Sequence, residues 1–103
     1  MVNAAEYSRL SFFEQCRELR RVTNEACLAA YHEWLNNKSS DLACENVFWT
    51  CIYCSKVDLD AMKVWIDGAA IDATALQDFI RSFIVEKLGN KFISLDVVTE
   101  WEW

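Results

Sequence analysis

The sequence has no proline and only two glycines, Gly68 and Gly89, among its 103 residues. A glycine-rich phosphate loop needs several closely spaced glycines, because backbone amides must approach the phosphates. The chain therefore lacks the loop of a classical nucleotide-binding enzyme. No apolar run approaches the roughly 20 residues that span a bilayer. Residues 1–6 have neither the basic flank nor the apolar core of a signal peptide, so we expect a cytoplasmic chain without membrane contact.

Apolar residues, in contrast, are plentiful. They make up 53% of the chain, with five Trp, six Phe and three Tyr, and this argues against disorder. A chain of this length buries roughly two-thirds of its unfolded surface, which is enough for a core without metals or disulfides. We predict one domain over residues 1–103, with its five cysteines reduced in the cytoplasm.

The net charge of −6 is unevenly distributed. Residues 1–57 carry six basic and seven acidic residues, whereas residues 58–103 carry four basic and nine acidic residues. An acidic half repels nucleic acid and attracts basic protein surfaces. The only basic cluster, Arg17, Arg20 and Arg21, is diluted by Glu14 and Glu18. We therefore expect no direct binding of nucleic acid, since phosphate contacts drive such binding.

Helical periodicity dominates the first third of the chain. Apolar residues recur on one face, and Thr23 or Asn24 is a suitable cap for a second helix, which predicts helices over 4–22 and 24–36. Phe12, Leu28 and Leu35 fall off the main apolar stripes. Exposed apolar residues of this kind mark partner surfaces.

The last third predicts a hairpin, a helix and a strand. Asp67-Gly68 lies between apolar flanks, a strong hairpin signal. Asp72 or Thr74 then caps a helix, which ends at Gly89. Its buried stripe comprises Leu76, Phe79, Ile80, Phe83, Ile84 and Leu88. Residues 93–103 alternate between apolar and polar side chains, which predicts a long, half-exposed strand.

Residues 41–55 allow two interpretations. Ser40-Asp41 resembles a helix start, but residues 47–54 are rich in aromatic and β-branched side chains that favour strands. The helix is slightly favoured. The overall prediction is an α+β fold, in which an N-terminal helical region precedes a β-hairpin–helix–strand unit. Its small antiparallel sheet has helices packed on one face, and the alternative is a mostly α fold.

The cysteines are candidates for thiol–disulfide exchange and for zinc binding, and the sequence argues against both. Cys51-Ile52-Tyr53-Cys54, preceded by Trp49-Thr50, resembles the active-site loop of thioredoxin over these residues alone. That resemblance implies thiol–disulfide exchange, but a chain without proline lacks the proline that faces the motif in that family. A zinc site would need a second closely spaced pair, which is missing among Cys16, Cys27, His32, Cys44, Cys51 and Cys54. We expect buried structural cysteines, no metal and no cofactor.

The C-terminus is the most suggestive surface. Asp96, Glu100 and Glu102 project from one face of the predicted strand, and Trp101 and Trp103 lie on the other face or beyond the sheet edge. Aromatic rings supply contact area, and carboxylates steer a basic partner. The alternative is that Trp101 closes the core. Further acidic candidates for partner binding are Asp58, Asp60 and Asp67.

These features favour a binding protein over an enzyme. The first hypothesis is an inhibitor that covers the basic surface of a nuclease or nucleic-acid-binding effector, as immunity proteins and phage or mobile-element anti-defence (anti-CRISPR) proteins do; this is an analogy of size and charge. The alternative is a structural or adaptor protein that self-associates, and a homodimer is compatible with both. A redox or zinc protein ranks third. The partner's identity and the oligomeric state are not fixed by the sequence.

Overall fold

The computed structural model describes residues 3–37, 41–45, 47, 49 and 51–101. Within these residues the chain forms helices and one three-stranded sheet, which confirms the predicted α+β class. The α-helices are α1 (Ala4–Tyr7), α2 (Phe12–Asn36) and α3 (Thr74–Leu88). The strands are β1 (Tyr53–Asp58), β2 (Lys63–Asp67) and β3 (Asp96–Glu100), and short 3₁₀ turns cover Asp41–Cys44 and Asn90–Phe92.

The N-terminal helices divide at a different place from the predicted one. Helix α2 is continuous from Phe12 to Asn36, so the prediction of separate helices over 4–22 and 24–36 is wrong. Ser11 starts α2 with a capping box: its Oγ accepts from the N–H of Glu14 at 3.2 Å, and Glu14 Oε1 accepts from the N–H of Ser11 at 3.4 Å. Two otherwise unsatisfied donors are thereby bonded, and this fixes the start of the helix.

The two polar residues that suggested a helix start at 23–24 have other partners. The Thr23 hydroxyl donates to the carbonyl oxygen of Leu19 at 2.7 Å and is buried. Asn24 Oδ1 accepts from the backbone N–H of Cys54 at 2.8 Å. Because both side chains are occupied elsewhere, α2 runs through this point without a break.

The hairpin joins β1 and β2 through residues 59–62, not through Asp67-Gly68 as the sequence predicts. Asp58 Oδ1 accepts from the N–H of Ala61 at 3.1 Å, so the Asp58 side chain stabilises this turn. Met62 has φ of 52°, in the left-handed region that sequence patterns reserve for Gly or Asn. A methionine in this role gives no turn signal, so the sequence predicts the hairpin after β2 instead of before it.

Gly68 instead follows β2 at a crowded position. Its φ is 88°, and a Cβ there would lie 3.1 Å from the carbonyl oxygen of Cys51. Its N–H donates to the carbonyl oxygen of Glu100 at 2.9 Å, which extends the pairing of β2 with β3. Glycine is required here by close backbone approach rather than by a hairpin turn.

The described residues between 41 and 55 do not form the helix that their sequence slightly favours. Asp41–Cys44 makes one 3₁₀ turn, and β1 begins at Tyr53. Val47 forms an isolated antiparallel bridge with Ala69, and Cys54 pairs with Ile66. The β-branched and aromatic composition of this segment therefore prevailed over the helix-start signal.

The chain crosses from β2 to β3 through α3, so β3 lies parallel to β2 and the sheet, in the order β1-β2-β3, is mixed. The prediction of an antiparallel sheet is wrong in this pairing. A helical crossover is the usual connection between parallel strands. Strand β3 is also shorter than the predicted strand over 93–103, because Asn90–Phe92 forms a 3₁₀ turn and Ile93 keeps helical backbone angles.

The hydrophobic core lies between the helices and one face of the sheet. The predicted stripe of α3 is confirmed, with four side chains fully buried and Phe79 and Phe83 partly buried. The inner face of the sheet contributes Cys54, Val64, Ile66 and Val97 to the same core. We call the side of the sheet opposite the core the outer face.

No helix among the described residues is long and apolar enough to cross a bilayer.

Candidate protein-binding surface

The outer face brings together residues from three strands in three cross-strand rows. The register pairs β1 with β2 and β2 with β3, and side chains of alternate residues share a face. One row is Asp58, Lys63 and Asp96; the middle row is Lys56, Trp65 and Val98; the third row is Tyr53, Asp67 and Glu100. Four of the acidic residues singled out from the sequence therefore lie on one face.

The first row contains a weak ion pair. Lys63 Nζ lies 3.8 Å from Asp96 Oδ2, and both side chains are largely exposed. Exposed pairs of this kind contribute about 0–1 kcal/mol, so Asp96 is available to a competing cation. Asp58 is half-buried, because it is committed to the turn through Ala61.

The middle row is an aromatic and aliphatic patch. Lys56 Nζ lies 4.7 Å from the centroid of the Trp65 ring, which is a cation–π contact. Trp65 and Val98 are half-buried. A large ring on an open sheet face is the kind of anchor that protein interfaces use.

The third row has a buried carboxylate at its centre. Asp67 is only 6% exposed, and its Oδ2 accepts from the Tyr53 hydroxyl at 2.9 Å. Its Oδ1 is buried and has no hydrogen-bond partner among the described residues. Glu100, in contrast, is exposed at the end of β3. A partner that approaches this row meets Glu100 before Asp67.

Two further predicted site residues, Asp60 and Trp101, lie outside the strands. Asp60 is exposed in the hairpin turn. Trp101 follows β3 and is partly buried against the core, as the alternative sequence interpretation proposed. Glu102 and Trp103 lie outside the described residues.

Sequence reasoning missed Lys56, Lys63, Tyr53 and Trp65 as members of this surface. Their places depend on the register of β1, which has an irregularity between Cys54 and Lys56. With the hairpin assigned to the wrong residues, no sequence pattern could align these side chains with Asp96 and Glu100.

Helix α2 protects the free edge of β1. The Arg20 guanidinium donates to the carbonyl oxygens of Cys54 at 3.3 Å and Ser55 at 3.2 Å, and Asn24 accepts from the N–H of Cys54. Covered edges resist unwanted strand pairing. An additional strand would have to displace these side chains from β1.

The cysteine pair of the thioredoxin-like motif is separated by the fold. Cys51 is exposed before β1, whereas Cys54 is buried on the inner face. Burial raises the pKa of Cys54 and raises the pKa of Cys27 to about 12, with the nearby Cys54 contributing to the latter. Thiols with raised pKa are poor nucleophiles at neutral pH. Among the described residues, no group of three or more His, Cys, Asp or Glu side chains could hold a metal ion.

Apart from the outer face, a pocket of about 320 Å³ lies between α2 and the segment before β1. Leu28 is exposed at its margin, and Tyr31 is half-buried. The Trp34 and Trp49 rings stack nearby, with centroids 5.3 Å apart. Its lining residues are Asn24, Cys27, Leu28, Tyr31, Trp49 and Ile52.

Comparison of the chain with known protein families, curated proteins and solved structures finds no match.

Proposed function

We propose that this protein is a non-catalytic binding module that recognises a basic protein surface with the outer face of its sheet. The observation that carries the proposal is the placement of Asp96 and Glu100, both exposed, on the outer face of the terminal strand β3. In an extended strand, residues four apart are separated by about 13 Å. Two carboxylates at this distance, with Val98 and Trp65 beside them, combine charge with apolar contact area.

The balance of charge on the outer face supports recognition at the β3 side. The outer face carries four carboxylates and two lysines. Lys63 forms an ion pair with Asp96, and Lys56 forms a cation–π contact with Trp65. Glu100 has no lysine in its row. Complementary potential of this kind raises the rate of encounter with a basic partner.

The proposal extends to the class of partner. A basic surface that normally contacts phosphates is found on nucleases and other nucleic-acid-binding effectors, and a carboxylate surface competes with phosphate for it. We therefore propose an inhibitor that acts in the cytoplasm by occluding such a surface. Immunity proteins and phage anti-defence proteins, including anti-CRISPR proteins, are both within this class.

Affinity capture from host lysate with three forms of the protein tests the proposal. The forms are the wild type, D96K/E100K, and E33K/D72K, which makes the same charge change at exposed residues away from the outer face. We expect a basic partner that wild type and E33K/D72K retain, that D96K/E100K loses, and that dissociates at high salt because screening weakens exposed charges. Competition by DNA or RNA for the same partner would identify the surface. Equal capture by all three forms would show that the outer face is not used.

A second candidate function is self-association through α2. Leu28 and Leu35 are exposed one heptad apart on this helix, 58% and 40% respectively, with Tyr31 between them. This spacing aligns apolar side chains on one helix face. A dimer in sedimentation experiments that L28E/L35E abolishes, and that is insensitive to salt, would favour this function over the first.

A further inference from the structure

A groove of about 290 Å³ lies between the N-terminal half of α2 and strand β1. Its lining residues are Phe13, Cys16, Arg17, Arg20 and Val57, and we call it the arginine groove. Phe13 is 70% exposed, both arginines are exposed, and Val57 is half-buried. None of the five residues belongs to the three rows of the outer face. The arginine groove is therefore an accessible surface that is separate from the outer face.

The two acidic residues that dilute this basic cluster in the sequence have other partners in the fold. Glu14 forms the capping box with Ser11. Glu18 accepts a hydrogen bond of 3.0 Å from Arg21 Nε, and Arg21 also pairs with Glu25. Among the described residues, neither Glu14 nor Glu18 forms an ion pair with an arginine of the groove.

Arg17 and Arg20 consequently carry uncompensated positive charge, although the net charge of the chain is −6. Arg17 Cζ lies 6.0 Å from the centroid of the Phe13 ring. Arg20 uses Nη1 to donate to the carbonyl oxygens of Cys54 and Ser55, which leaves its Nε and Nη2 donors for a ligand. Guanidinium groups bind carboxylates through paired, charge-assisted hydrogen bonds, so the chemistry of the groove fits an acidic ligand.

The order of the groove residues along α2 sets a pattern on that ligand. Phe13, Arg17 and Arg20 lie within about 60° of one another around the helix, with rises of about 6 Å and about 4.5 Å between them. In an extended segment, residues two apart share a face and are separated by about 6.7 Å. An apolar residue with acidic residues two and four positions away from it matches this order, because the arginine side chains are long enough to absorb the difference.

A second copy of this chain fits the groove less well. Its exposed carboxylates on the outer face, Asp96 and Glu100, are four residues apart in a strand and therefore separated by about 13 Å. The corresponding rise between Arg17 and Arg20 is only about 4.5 Å. A nucleic acid fits poorly as well, because the net charge of −6 repels a polyanion and Phe13 would be left without an apolar contact.

We propose that the arginine groove binds an extended acidic segment of a partner protein. An apolar side chain of that segment packs on Phe13 and Val57. Two acidic side chains, two and four positions away from it, pair with Arg17 and Arg20. The inference goes beyond the proposed function, because the arginine groove and the outer face bind ligands of opposite charge.

Peptide titration of the full chain, followed by ¹H–¹⁵N NMR, tests this inference. The probe is the capped peptide Leu-Ser-Glu-Ser-Glu, and the control is Leu-Glu-Ser-Ser-Glu. The control has the same composition and charge, but only one of its acids shares a face with the leucine. We expect the probe to shift the N–H signals of the residues that line the arginine groove. The control should bind about fivefold more weakly, since it loses one ion pair.

Three variants locate the binding site of the probe. Arg17→Glu should weaken binding about tenfold, because it places like charges in contact. Arg20 is left unchanged, since its hydrogen bonds support β1. Arg9→Glu makes the same charge change at an exposed residue outside the groove and should bind the probe within about twofold of wild type. D96K/E100K, which alters only the outer face, should retain binding.

Four results would overturn the inference, and none of them affects capture of a basic partner by the outer face. The first is equal affinity for the two peptides, and the second is undiminished binding by Arg17→Glu. The third is a shift of the groove signals by a thymidine pentanucleotide at lower concentration than the probe, which would assign the groove to phosphate. The fourth is a shift of these signals with rising protein concentration alone, which would identify a second copy as the occupant.

Discussion

Glu45 Oε1 accepts a hydrogen bond of 2.9 Å from the backbone N–H of Ala75, thirty residues further along the chain. Ala75 is in the first turn of α3, whose N-cap residue, Ala73, has no side chain that can accept from the helix. Thr74, one of the two predicted caps, donates its hydroxyl to the carbonyl oxygen of Asp72 instead. A carboxylate from a distant turn therefore caps α3 and faces the positive end of its dipole.

Replacement of Glu45 should destabilise the fold through α3. We expect Glu45→Ala to lower the free energy of unfolding by about 1–2 kcal/mol, since it removes both the capping acceptor and its charge. Urea denaturation measures this change. Glu45→Gln keeps an acceptor oxygen and should lose less stability than Glu45→Ala. An unchanged urea midpoint in the alanine variant would show that the bond does not stabilise α3.

The sequence predicted those elements whose signals are local. The Leu76–Leu88 stripe of α3 and the glycine at its end follow from spacing alone, and both are confirmed; Gly89 has φ of 111°. Ser11 and Glu14 are also a local signal, because a capping box is a pattern of four residues. The predicted helices over 4–22 and 24–36 make no use of this signal.

The errors come from bonds between residues far apart in sequence. The sequence around Asn24 is typical of a helix cap, but its side chain accepts a hydrogen bond from Cys54, thirty residues away. The sequence around Glu45 gives no indication that its carboxylate bonds to α3. Met62 occupies a left-handed position without the usual turn chemistry. The outer face was predicted in part: Asp96 and Glu100 were assigned to one face from their alternation, but the lysines and Trp65 that surround them depend on strand register.

Asn24 should be more important for stability than its exposed position suggests. Asn24→Ala leaves the N–H of Cys54 without its acceptor beside a buried side chain, at an expected cost of about 1–3 kcal/mol. Asn24→Asp keeps the acceptor and should recover most of that loss. The matched control is Asn36→Ala, the same substitution at an exposed position near the end of α2. Thermal unfolding of the three variants measures the difference, and equal destabilisation by Asn24→Ala and Asn36→Ala would contradict the prediction.

The thiols should differ strongly in reactivity. In a C16S/C44S background, we expect Ellman's reagent at pH 8 to modify Cys51 rapidly, since its side chain is exposed. Cys27 and Cys54 should react only on the timescale of unfolding, because burial limits access and raises the pKa of both thiols. Mass spectrometry of partly modified protein identifies the site. Early modification of Cys54 would show that the 51–54 segment opens in solution, and it would support thiol–disulfide exchange by Cys51 and Cys54.

Stability should fall at alkaline pH because of the buried thiol at Cys27. Burial raises its pKa to about 12 in the folded chain, whereas an unfolded cysteine titrates near 8.5. Between these values the unfolded state binds fewer protons than the folded state, so the free energy of unfolding decreases as pH rises. The slope contributed by one such thiol approaches about 1.4 kcal/mol per pH unit.

Urea denaturation at intervals from pH 8 to pH 11 measures this slope, with roughly one unit between successive conditions. Cys27→Ala should flatten the decline relative to wild type, even though the loss of the buried sulfur lowers stability at neutral pH. Cys51→Ala, which removes an exposed thiol, is the matched control. Cys54 and, at the upper end, Tyr7 give a residual decline, because burial raises the pKa of the Cys54 thiol and raises the pKa of Tyr7 to about 12. If Cys27→Ala and wild type lose stability in parallel, the Cys27 thiolate is accommodated in the folded chain and its burial is incomplete in solution.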